Sequence, residues 1–428
     1  MDESRQPATA KDRCLWFDRF QLGWACLIAP FFLFPQKKFL WILPAVLLAW
    51  GVRYFFKGAF FEKTILDWAI AILLVEILIS GIGSPDINFS LPKIAGALFG
   101  IYVFYILAGA LGTDKILRWG IRTYLFGGFL LASIGLLGTA WRVSEVYIAD
   151  VISMIIRHIP ILNLRLPGAE EGFNPNALGG TLLLVVFSVF AFWLSFLKIG
   201  SVKPPLFKKK VILIIIYSFL LLYFLFVLFL TQSVICWLAF GMTVWLFFLN
   251  GRWKKWSVCF VILFIGIIAL GEYLGKPLIE PRKITAVFQA KAEGRSHLWK
   301  AGIDAIETHP LFGVGMNRLR LKAGVGFESH AHNQFIHTAA ELGIPGLIAY
   351  LAILIGAGWM SFEVWRKAVS DWMRIAIQGL AAGQFAFLLF GMGDAIPIGA
   401  KAGLFFWISI ALITSLHQVM VREIARTK

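Results

Sequence analysis

Charged residues are scarce in this 428-residue sequence, where they make up only 15% and where just 24 residues are acidic. Soluble domains usually contain about 25% charged and 45–50% apolar residues, whereas hydrophobic residues here reach 59%. This composition excludes a soluble domain, a disordered chain and a coiled coil.

Cysteine is also rare. Cys14 lies in a basic tail, and Cys26, Cys236 and Cys259 lie in apolar runs, which excludes a disulfide-stapled secreted domain.

Long apolar runs are abundant instead. Hydropathy predicts about twelve membrane-spanning helices, with some short or tilted cases, across a hydrocarbon core of roughly 30 Å. We therefore expect an all-α polytopic membrane protein with one transmembrane domain over residues 1–428. No cleavable signal peptide is evident, so the first span is expected to be an uncleaved anchor. The predicted spans are 20–35, 39–56, 66–82, 94–111, 123–140, 176–197, 211–230, 234–249, 257–273, 333–355, 375–390 and 402–421.

The distribution of lysine and arginine predicts the orientation of these spans. Of 40 basic residues, 24 fall in tails and short loops on the side of the N-terminus, against four in short loops on the other side. Both termini are therefore predicted to be cytoplasmic. The other 12 lie in two long extracytoplasmic loops, 141–175 and 274–332. The net charge of +16 is thus explained by topology and by attraction to anionic membrane lipids, and no nucleic-acid partner is expected.

The loop 274–332 is predicted to contain an amphipathic helix that ends at His309-Pro310. Arg295, if the helix extends back to it, projects onto the apolar face, where a guanidinium needs an anionic partner because a buried unpaired charge is costly. The alternative is a surface salt bridge from Arg295 to Glu293 or Asp304. The apolar face holds Leu298, Trp299, Ala301, Gly302, Ile303, Ala305 and Ile306, and the polar face holds His297, Lys300, Asp304 and Glu307.

Several short motifs follow one another in and after this loop. They are Gly294-Arg295, His309-Pro310-Leu311-Phe312-Gly313-Val314-Gly315-Met316-Asn317, His330-Ala331-His332-Asn333 and Glu341-Leu342-Gly343-Ile344-Pro345-Gly346-Leu347. Together they resemble the core of the O-antigen ligase and O-antigen polymerase superfamily. An upstream stretch, Arg165-Leu166-Pro167-Gly168 with Asn174-Pro175-Asn176, resembles a second element of that superfamily. The resemblance covers about 165–178 and 282–348.

The resemblance implies a C-type glycosyltransferase-like enzyme of the bacterial inner membrane that works without a metal or other cofactor. Such an enzyme passes a glycan from undecaprenyl diphosphate to a lipid A-core or similar sugar acceptor at the periplasmic face. A polysaccharide polymerase, with a carrier-linked repeat unit as acceptor, fits the same motifs. A transporter of the lipid-linked glycan is the alternative from another class. Twelve spans suit a transporter, but we find no repeat between the two halves.

Two residues supply the chemistry that such a transfer needs. Arginine binds phosphate oxygens through paired hydrogen bonds, and imidazole accepts a proton near neutral pH. Arg295 and His332 are accordingly predicted to be catalytic. Arg165, Arg295, Asn174 and Asn176 are predicted to bind the donor diphosphate, although Asn174-Pro175 is also typical of a helix start.

A polar stripe is predicted at the start of the next span. Asn333, His337 and Glu341 recur every four residues, and with His330 they are predicted to line an external cavity, with Glu341 orienting His337. The stripe alternatively forms a hydrogen-bonded seam between helices. His330 and His332 are alternatively a helix cap or half of a metal site, but no cysteine or second histidine pair flanks them, so no metal is predicted.

Two further features qualify the resemblance. Gly343, Pro345 and Gly346 predict close packing and a bend in the helix rather than chemistry.

Members of the superfamily commonly carry a Ser-Arg pair at the external end of a helix in mid-chain. The matching place here reads Thr231-Gln232-Ser233-Val234, with Val234 instead of arginine. Arg142 or Arg165 could supply the missing charge.

Overall fold

The structure is a computed structural model. It describes residues 20–21, 23–29, 48, 51–55, 61–83, 87–139, 141, 155–159, 172–197, 204–249, 281–319 and 330–427. Within these ranges, seven helices are long and apolar enough to cross a membrane, and no β-strand is assigned. The chain is therefore an all-α, multi-pass membrane protein. The helices are α1 (Asp67–Ile82), α2 (Ile87–Ala110), α3 (Asp114–Gly138), α4 (Pro175–Leu197), α5 (Pro204–Leu230), α6 (Val234–Leu249), α7 (Pro281–Thr308), α8 (Gln334–Lys367), α9 (Asp371–Gly391) and α10 (Leu404–Thr427).

The predicted spans agree well with these helices. Nine of the twelve coincide with α1 to α6 and α8 to α10. The largest difference in length is in α8, which was predicted to end at 355 and continues to Lys367. The spans 20–35 and 39–56 are helical where the structure describes them, and the span 257–273 lies outside the described residues.

The bundle has one end at which the functional motifs gather, here called the site end. Gly180, near the start of α4, abuts Phe390 near the end of α9, and Gly393 abuts Ile235 at the start of α6. The backbone N–H of Met316 donates to Ser80 Oγ near the end of α1 over 2.6 Å. The chain segments that meet here are those predicted to be external from the basic residues. Their meeting at one end is consistent with the predicted topology.

Close helix packing in the interior depends on glycines. α4 lies at the centre and packs against α9, α5 and α3. Gly379 and Gly383 of α9 lie directly against the backbone of α4 at Ser188 and Leu184. Helices in membranes associate through such small residues, because burying apolar surface gives no advantage over lipid. Outward-facing apolar residues such as Leu222 of α5 are exposed, as lipid contact requires.

The two ends of the loop 141–175 are held together. The backbone N–H of Phe173 donates to Gly138 O over 3.0 Å, and residues 139 and 173 form an isolated parallel bridge. The loop therefore leaves and re-enters the bundle at one point, between α3 and α4. Arg142 and Arg165, both predicted as sources of positive charge, lie outside the described residues.

Candidate active site

The amphipathic helix predicted in the long loop is α7, and it ends at Thr308 just before His309-Pro310 as predicted. Leu298, Gly302 and Ala305 of its apolar face are buried, and the four residues of the predicted polar face are exposed. Ile303 differs from the prediction, because it lies at the edge of the apolar arc and is 45% exposed. A Cβ on Gly302 would come within 2.5 Å of Ile336 in α8, so α7 lies directly on the start of α8.

A small apolar cluster, here called the loop core, holds the long loop together. It brings α7 into contact with the segment after it, with the histidine motif and with α8. Since Ala331 belongs to it, the loop core fixes the backbone between His330 and His332. Its buried members are Ala305, Val314, Leu319, Ala331 and Ala340, with Ile306 and Ile336 packed beside them.

The segment Pro310–Asn317, here called the strap, crosses a break in α8. Gly343 has φ +71° and ψ 178°, which interrupts the helix two residues before Pro345. The interruption leaves backbone groups without partners inside the helix, and the strap supplies them. Three backbone hydrogen bonds join the two segments: Val314 N–H to Ala340 O (2.8 Å), Gly315 N–H to Glu341 O (3.1 Å) and Ile344 N–H to Pro310 O (2.7 Å).

Glycine is required on both sides of this contact. Gly313 (φ +62°) lies against the backbone of Glu341, and Gly343 lies against the backbone of Leu311, each with no room for a Cβ. The glycines of the Phe312-Gly313-Val314-Gly315 motif therefore have a structural role. The predicted bend at Gly343 is confirmed.

His330 and His332 converge on one carboxylate, that of Asp394 in the segment between α9 and α10. His330 Nε2 lies 2.9 Å and His332 Nδ1 3.0 Å from Asp394 Oδ1. The imidazole centroids are 4.4 Å apart. His332 has φ +47°, an uncommon value for a residue other than glycine, which turns its side chain toward Asp394.

Several hydrogen bonds hold this arrangement in place. The backbone N–H of Ala395 donates to Asp394 Oδ1 over 2.8 Å. The backbone N–H of Ile396 donates to Gln334 Oε1 over 2.9 Å, and Asn333 Nδ2 donates to Met392 O over 3.1 Å. The start of α8 and the segment after α9 are thus joined on both sides of the carboxylate.

The electrostatics of the cluster favour an ionised carboxylate. Burial raises the pKa of the Asp394 carboxyl, but hydrogen bonds from His330 and His332 outweigh it, so the pKa lies well below its usual range. Burial lowers the pKa of the His330 imidazole below its ordinary value, although Asp394 acts in the opposite direction. Asp394 is therefore charged at neutral pH, whereas His330 resists protonation.

The same three side chains could also hold a metal ion. Their candidate ligand atoms all lie within 4.8 Å of one another, and two histidines with one carboxylate form a known ligand set. However, each histidine can donate an N–H to the carboxylate, an arrangement that requires no ion. The absence of a metal therefore remains a prediction.

His337 and Glu341 form a second, deeper pair on α8. His337 Nε2 and Glu341 Oε2 are 3.3 Å apart, and both side chains are buried. This contact does not have the geometry of a hydrogen bond, because neither ring nitrogen of His337 has a hydrogen-bond partner among the described residues, so the orientation of His337 by Glu341 stays a prediction. Asn333 instead caps α8, and its Oδ1 accepts from the backbone N–H groups of Phe335 and Ile336 over 3.0 Å. A cavity of about 860 Å³ lies elsewhere, between α4, α6, α8 and α9, so the cavity-lining role of these residues stays a prediction.

The predicted donor-binding residues that the structure describes lie on two different elements, α7 and the start of α4. Arg295 is half-buried on α7, two helical turns before Gly302 on the same face. Asp304 forms no salt bridge with its guanidinium, and neither does any other residue whose side chain is described, whereas the side chain of Glu293 lies outside the described part of the structure. Asn174 caps α4, because its Oδ1 accepts from the backbone N–H groups of Asn176 (2.8 Å) and Ala177 (3.2 Å). The expected helix start at Asn174-Pro175 is therefore confirmed, while diphosphate binding by Asn174 and Asn176 stays a prediction.

The turn that lacks the family arginine is tightly packed. Gln232 has φ +50° between α5 and α6, and Thr231 and Ser233 are buried. A Cβ on Gly179 of α4 would lie 2.7 Å from Cys236 Sγ and 3.3 Å from Thr231 Oγ1. Cys26 and Cys236, the cysteines that the structure describes, form no disulfide with each other.

Sequence reasoning did not identify Asp394. The only signal in the sequence is an isolated acidic residue after Gly391-Met392-Gly393, in a short polar gap between two apolar spans. The predicted topology puts that gap on the same side of the membrane as His332. A carboxylate at such a position is a candidate partner for any histidine at that end of the bundle.

The fold and this cluster define a class: a multi-pass all-α membrane protein with a histidine–carboxylate site at one end of the bundle. Residues 219–351 match the model of the O-antigen ligase family. The match covers the motifs of the long loop and of α8 and confirms the resemblance there, whereas the upstream element 165–178 lies outside it. The match supports a glycosyltransferase-like ligase or polymerase activity in O-antigen synthesis. No curated protein sequence matches the chain significantly.

Proposed function

We propose that the chain is an O-antigen ligase-like glycosyltransferase. It transfers a glycan from undecaprenyl diphosphate to a sugar hydroxyl of lipid A-core, at the periplasmic face of the bacterial inner membrane. The observation that carries this proposal is the convergence of His330 and His332 on Asp394. The two histidines belong to the same long loop as Arg295. The family match over 219–351 makes the donor and acceptor classes the natural ones to test.

His332 removes the proton of the acceptor hydroxyl. Its Nδ1 is directed at Asp394, so Nε2, across the ring, carries the lone pair when Nδ1 holds the hydrogen. The proton moves from the hydroxyl oxygen to Nε2 as that oxygen attacks the anomeric carbon. Asp394 then stabilises the imidazolium, because its charge lies 3.0 Å from Nδ1.

Arg295 stabilises the leaving group. The bond between the anomeric carbon and the carrier oxygen breaks, and its electron pair stays on the diphosphate. A guanidinium can bind two phosphate oxygens at once, which favours that charge. Arg295 is half-buried, and no side chain that the structure describes pairs with its guanidinium. Both facts are consistent with a site for a substrate anion. Arg165, Asn174 and Asn176 would bind the same diphosphate.

The decisive experiment is a transfer assay with the purified protein in detergent. Undecaprenyl diphosphate that carries a labelled glycan is offered with lipid A-core in one reaction and with unlabelled carrier-linked repeat units in another. Labelled lipid A-core together with free undecaprenyl diphosphate is the expected product. Labelled dimers of the repeat unit would identify a polymerase instead. If neither reaction releases undecaprenyl diphosphate, the proposed enzyme activity is wrong and a transporter becomes the better hypothesis.

The proposed location can be tested separately. With both termini in the cytoplasm, a reporter that works only outside should be active after residue 290, within α7, and inactive after residue 205, at the start of α5. Activity after residue 205 would reverse the orientation and place the histidine cluster in the cytoplasm. Undecaprenyl diphosphate-linked glycan at the outer face could then not be the donor.

A further inference from the structure

Arg318 immediately follows the strap and has no role in the mechanism above. Its backbone N–H donates to Gly315 O over 3.2 Å, which closes a turn after Asn317. Asn317 has φ +63°, and its Nδ2 donates to Phe89 O over 2.7 Å. The turn that presents Arg318 is therefore anchored to the start of α2 and to the strap.

The stem of Arg318 is also packed. A Cβ on Gly315 would lie 3.1 Å from Arg318 Cδ, so the stem lies along the glycine backbone. The residue is only half-buried, so its guanidinium is not sealed inside the protein. No hydrogen bond or ion pair joins this guanidinium to the residues that the structure describes. A guanidinium that is held by its stem, and that has no carboxylate partner among the described residues, can bind an external anion.

The next residue joins Arg318 to the apolar cluster that also holds the histidine motif. Leu319 is buried in the loop core, which also contains Ala331, between His330 and His332. The loop core includes Ala305 of α7 as well, the helix that carries Arg295. Arg318, Arg295 and the histidine motif thus lie on three segments that one apolar cluster holds together.

We infer that Arg318 binds a phosphate group of a substrate at the site end, on a segment that the loop core joins to the histidine motif. Phosphate fits because guanidinium binds it through charge-assisted, paired hydrogen bonds. Two substrates of the proposed reaction carry phosphate esters: the polyprenyl diphosphate of the donor and the phosphorylated lipid A of the acceptor. The inference rests on the proposed function, and it adds a residue that the family motifs above do not include.

Direct binding to the full-length protein in detergent tests this assignment. The probes are undecaprenyl diphosphate without glycan, undecaprenyl monophosphate and phosphorylated lipid A. The variants are Arg318→Gln and Arg318→Lys, with Lys300→Gln as a matched control, because Lys300 is an exposed cation on the polar face of α7. Size-exclusion elution and thermal unfolding show whether each variant keeps its fold. If Arg318→Gln does not fold, Arg318→Lys, which preserves the stem and the charge, decides the question.

Arg318→Gln should weaken the binding of one phosphate-bearing lipid roughly 10- to 100-fold, the range expected for loss of a hydrogen bond to a charged group. Arg318→Lys should show a smaller loss, and Lys300→Gln should bind like the wild type. A loss confined to undecaprenyl diphosphate assigns Arg318 to the donor, and a loss confined to lipid A assigns it to the acceptor.

Unchanged binding of all three lipids by a folded Arg318 variant overturns the inference. A wild-type protein that binds none of the three lipids counts against the proposed function instead, so the two failures are distinguishable. Equal loss in Lys300→Gln and Arg318→Gln would mean that only general positive charge matters, which also overturns the assignment to Arg318.

Discussion

His332 Nδ1 lies 3.0 Å from Asp394 Oδ1, although 62 residues separate them in the chain. The contact depends on α8 and α9, because His332 lies just before one helix and Asp394 just after the other. Asp394 should therefore control the tautomer of His332 and stabilise its protonated form.

Asp394→Asn should keep the fold but lower turnover roughly 10- to 10³-fold, since general acid–base catalysis contributes about 10²–10⁴-fold and the base itself remains. The amide is isosteric but carries no charge to stabilise an imidazolium. Turnover of purified protein with saturating donor is the measurement. Asp371→Asn, at the exposed start of α9, is the control. Equal turnover in the two variants would show that Asp394 is not coupled to the reaction.

His332→Ala should lose roughly 10²–10⁴-fold in turnover if His332 is the general base. Donor binding should be almost unchanged, because the base contacts the acceptor and not the diphosphate. Turnover and donor affinity of the purified variant decide this. Normal turnover would transfer the role of base to His330 or His337. Weaker donor binding would instead place His332 at the diphosphate.

Arg295→Lys keeps a positive charge but loses the planar guanidinium that binds two oxygens together. Turnover should fall about 10-fold or more, the effect of losing about 1.4 kcal/mol of transition-state stabilisation. His297→Gln, a change on the exposed side of α7, should be neutral. Full activity in Arg295→Lys would mean that a point charge suffices there, contrary to the proposed bidentate contact.

The sequence predicted the helices better than the site, for physical reasons. A long apolar run in a membrane protein can hardly be anything but a helix, so α4 was predicted to within one residue of its start at Pro175. The amphipathic pattern of α7 likewise predicted its buried residues. Gly343, Pro345 and Gly346 predicted a bend, but not the packing of the strap against it, which depends on tertiary contacts. Asp394 was missed because its role arises only from tertiary packing.

Gly343→Ala should destabilise the protein by about 2–4 kcal/mol, because the added Cβ meets the strap backbone and because φ +71° is unfavourable for alanine. Gly358→Ala is the matched control: it lies in the same helix, and nothing is within 4 Å of its Cβ position. The control should be neutral or slightly stabilising. Thermal unfolding in detergent measures both. Equal stability of the two variants would contradict the role assigned to the strap.

Transfer should not require a divalent metal. If Arg295 and the histidine cluster act as proposed, EDTA should leave the rate unchanged, and added Mg²⁺, Mn²⁺ or Zn²⁺ should not raise it. The assay should include metal analysis of the purified protein, since His330, His332 and Asp394 could hold an ion. If EDTA abolishes activity and one of these ions restores it, His332 is a metal ligand and not the general base.

The stability of the protein should fall as the pH drops below about 6.5. Burial lowers the pKa of His330 in the folded protein below its ordinary 6.5, so the unfolded chain binds more protons in this range and acid favours unfolding. The pKa of Asp394 is lowered from 3.8, so the stability that its ionised carboxylate contributes is lost only at much lower pH. The effects of His330 and Asp394 on stability therefore fall in different pH ranges.

The measurement is thermal unfolding in detergent between pH 7.5 and 5 for the wild type, for His330→Gln and for His297→Gln. His297 is exposed on α7, so its removal should not change the pH dependence. His330→Gln removes the titrating imidazole and keeps an amide donor, so the Tm of this variant should depend less on pH. Parallel pH profiles for all three proteins would mean that His330 is not held neutral by its burial, and that another group governs the acid sensitivity.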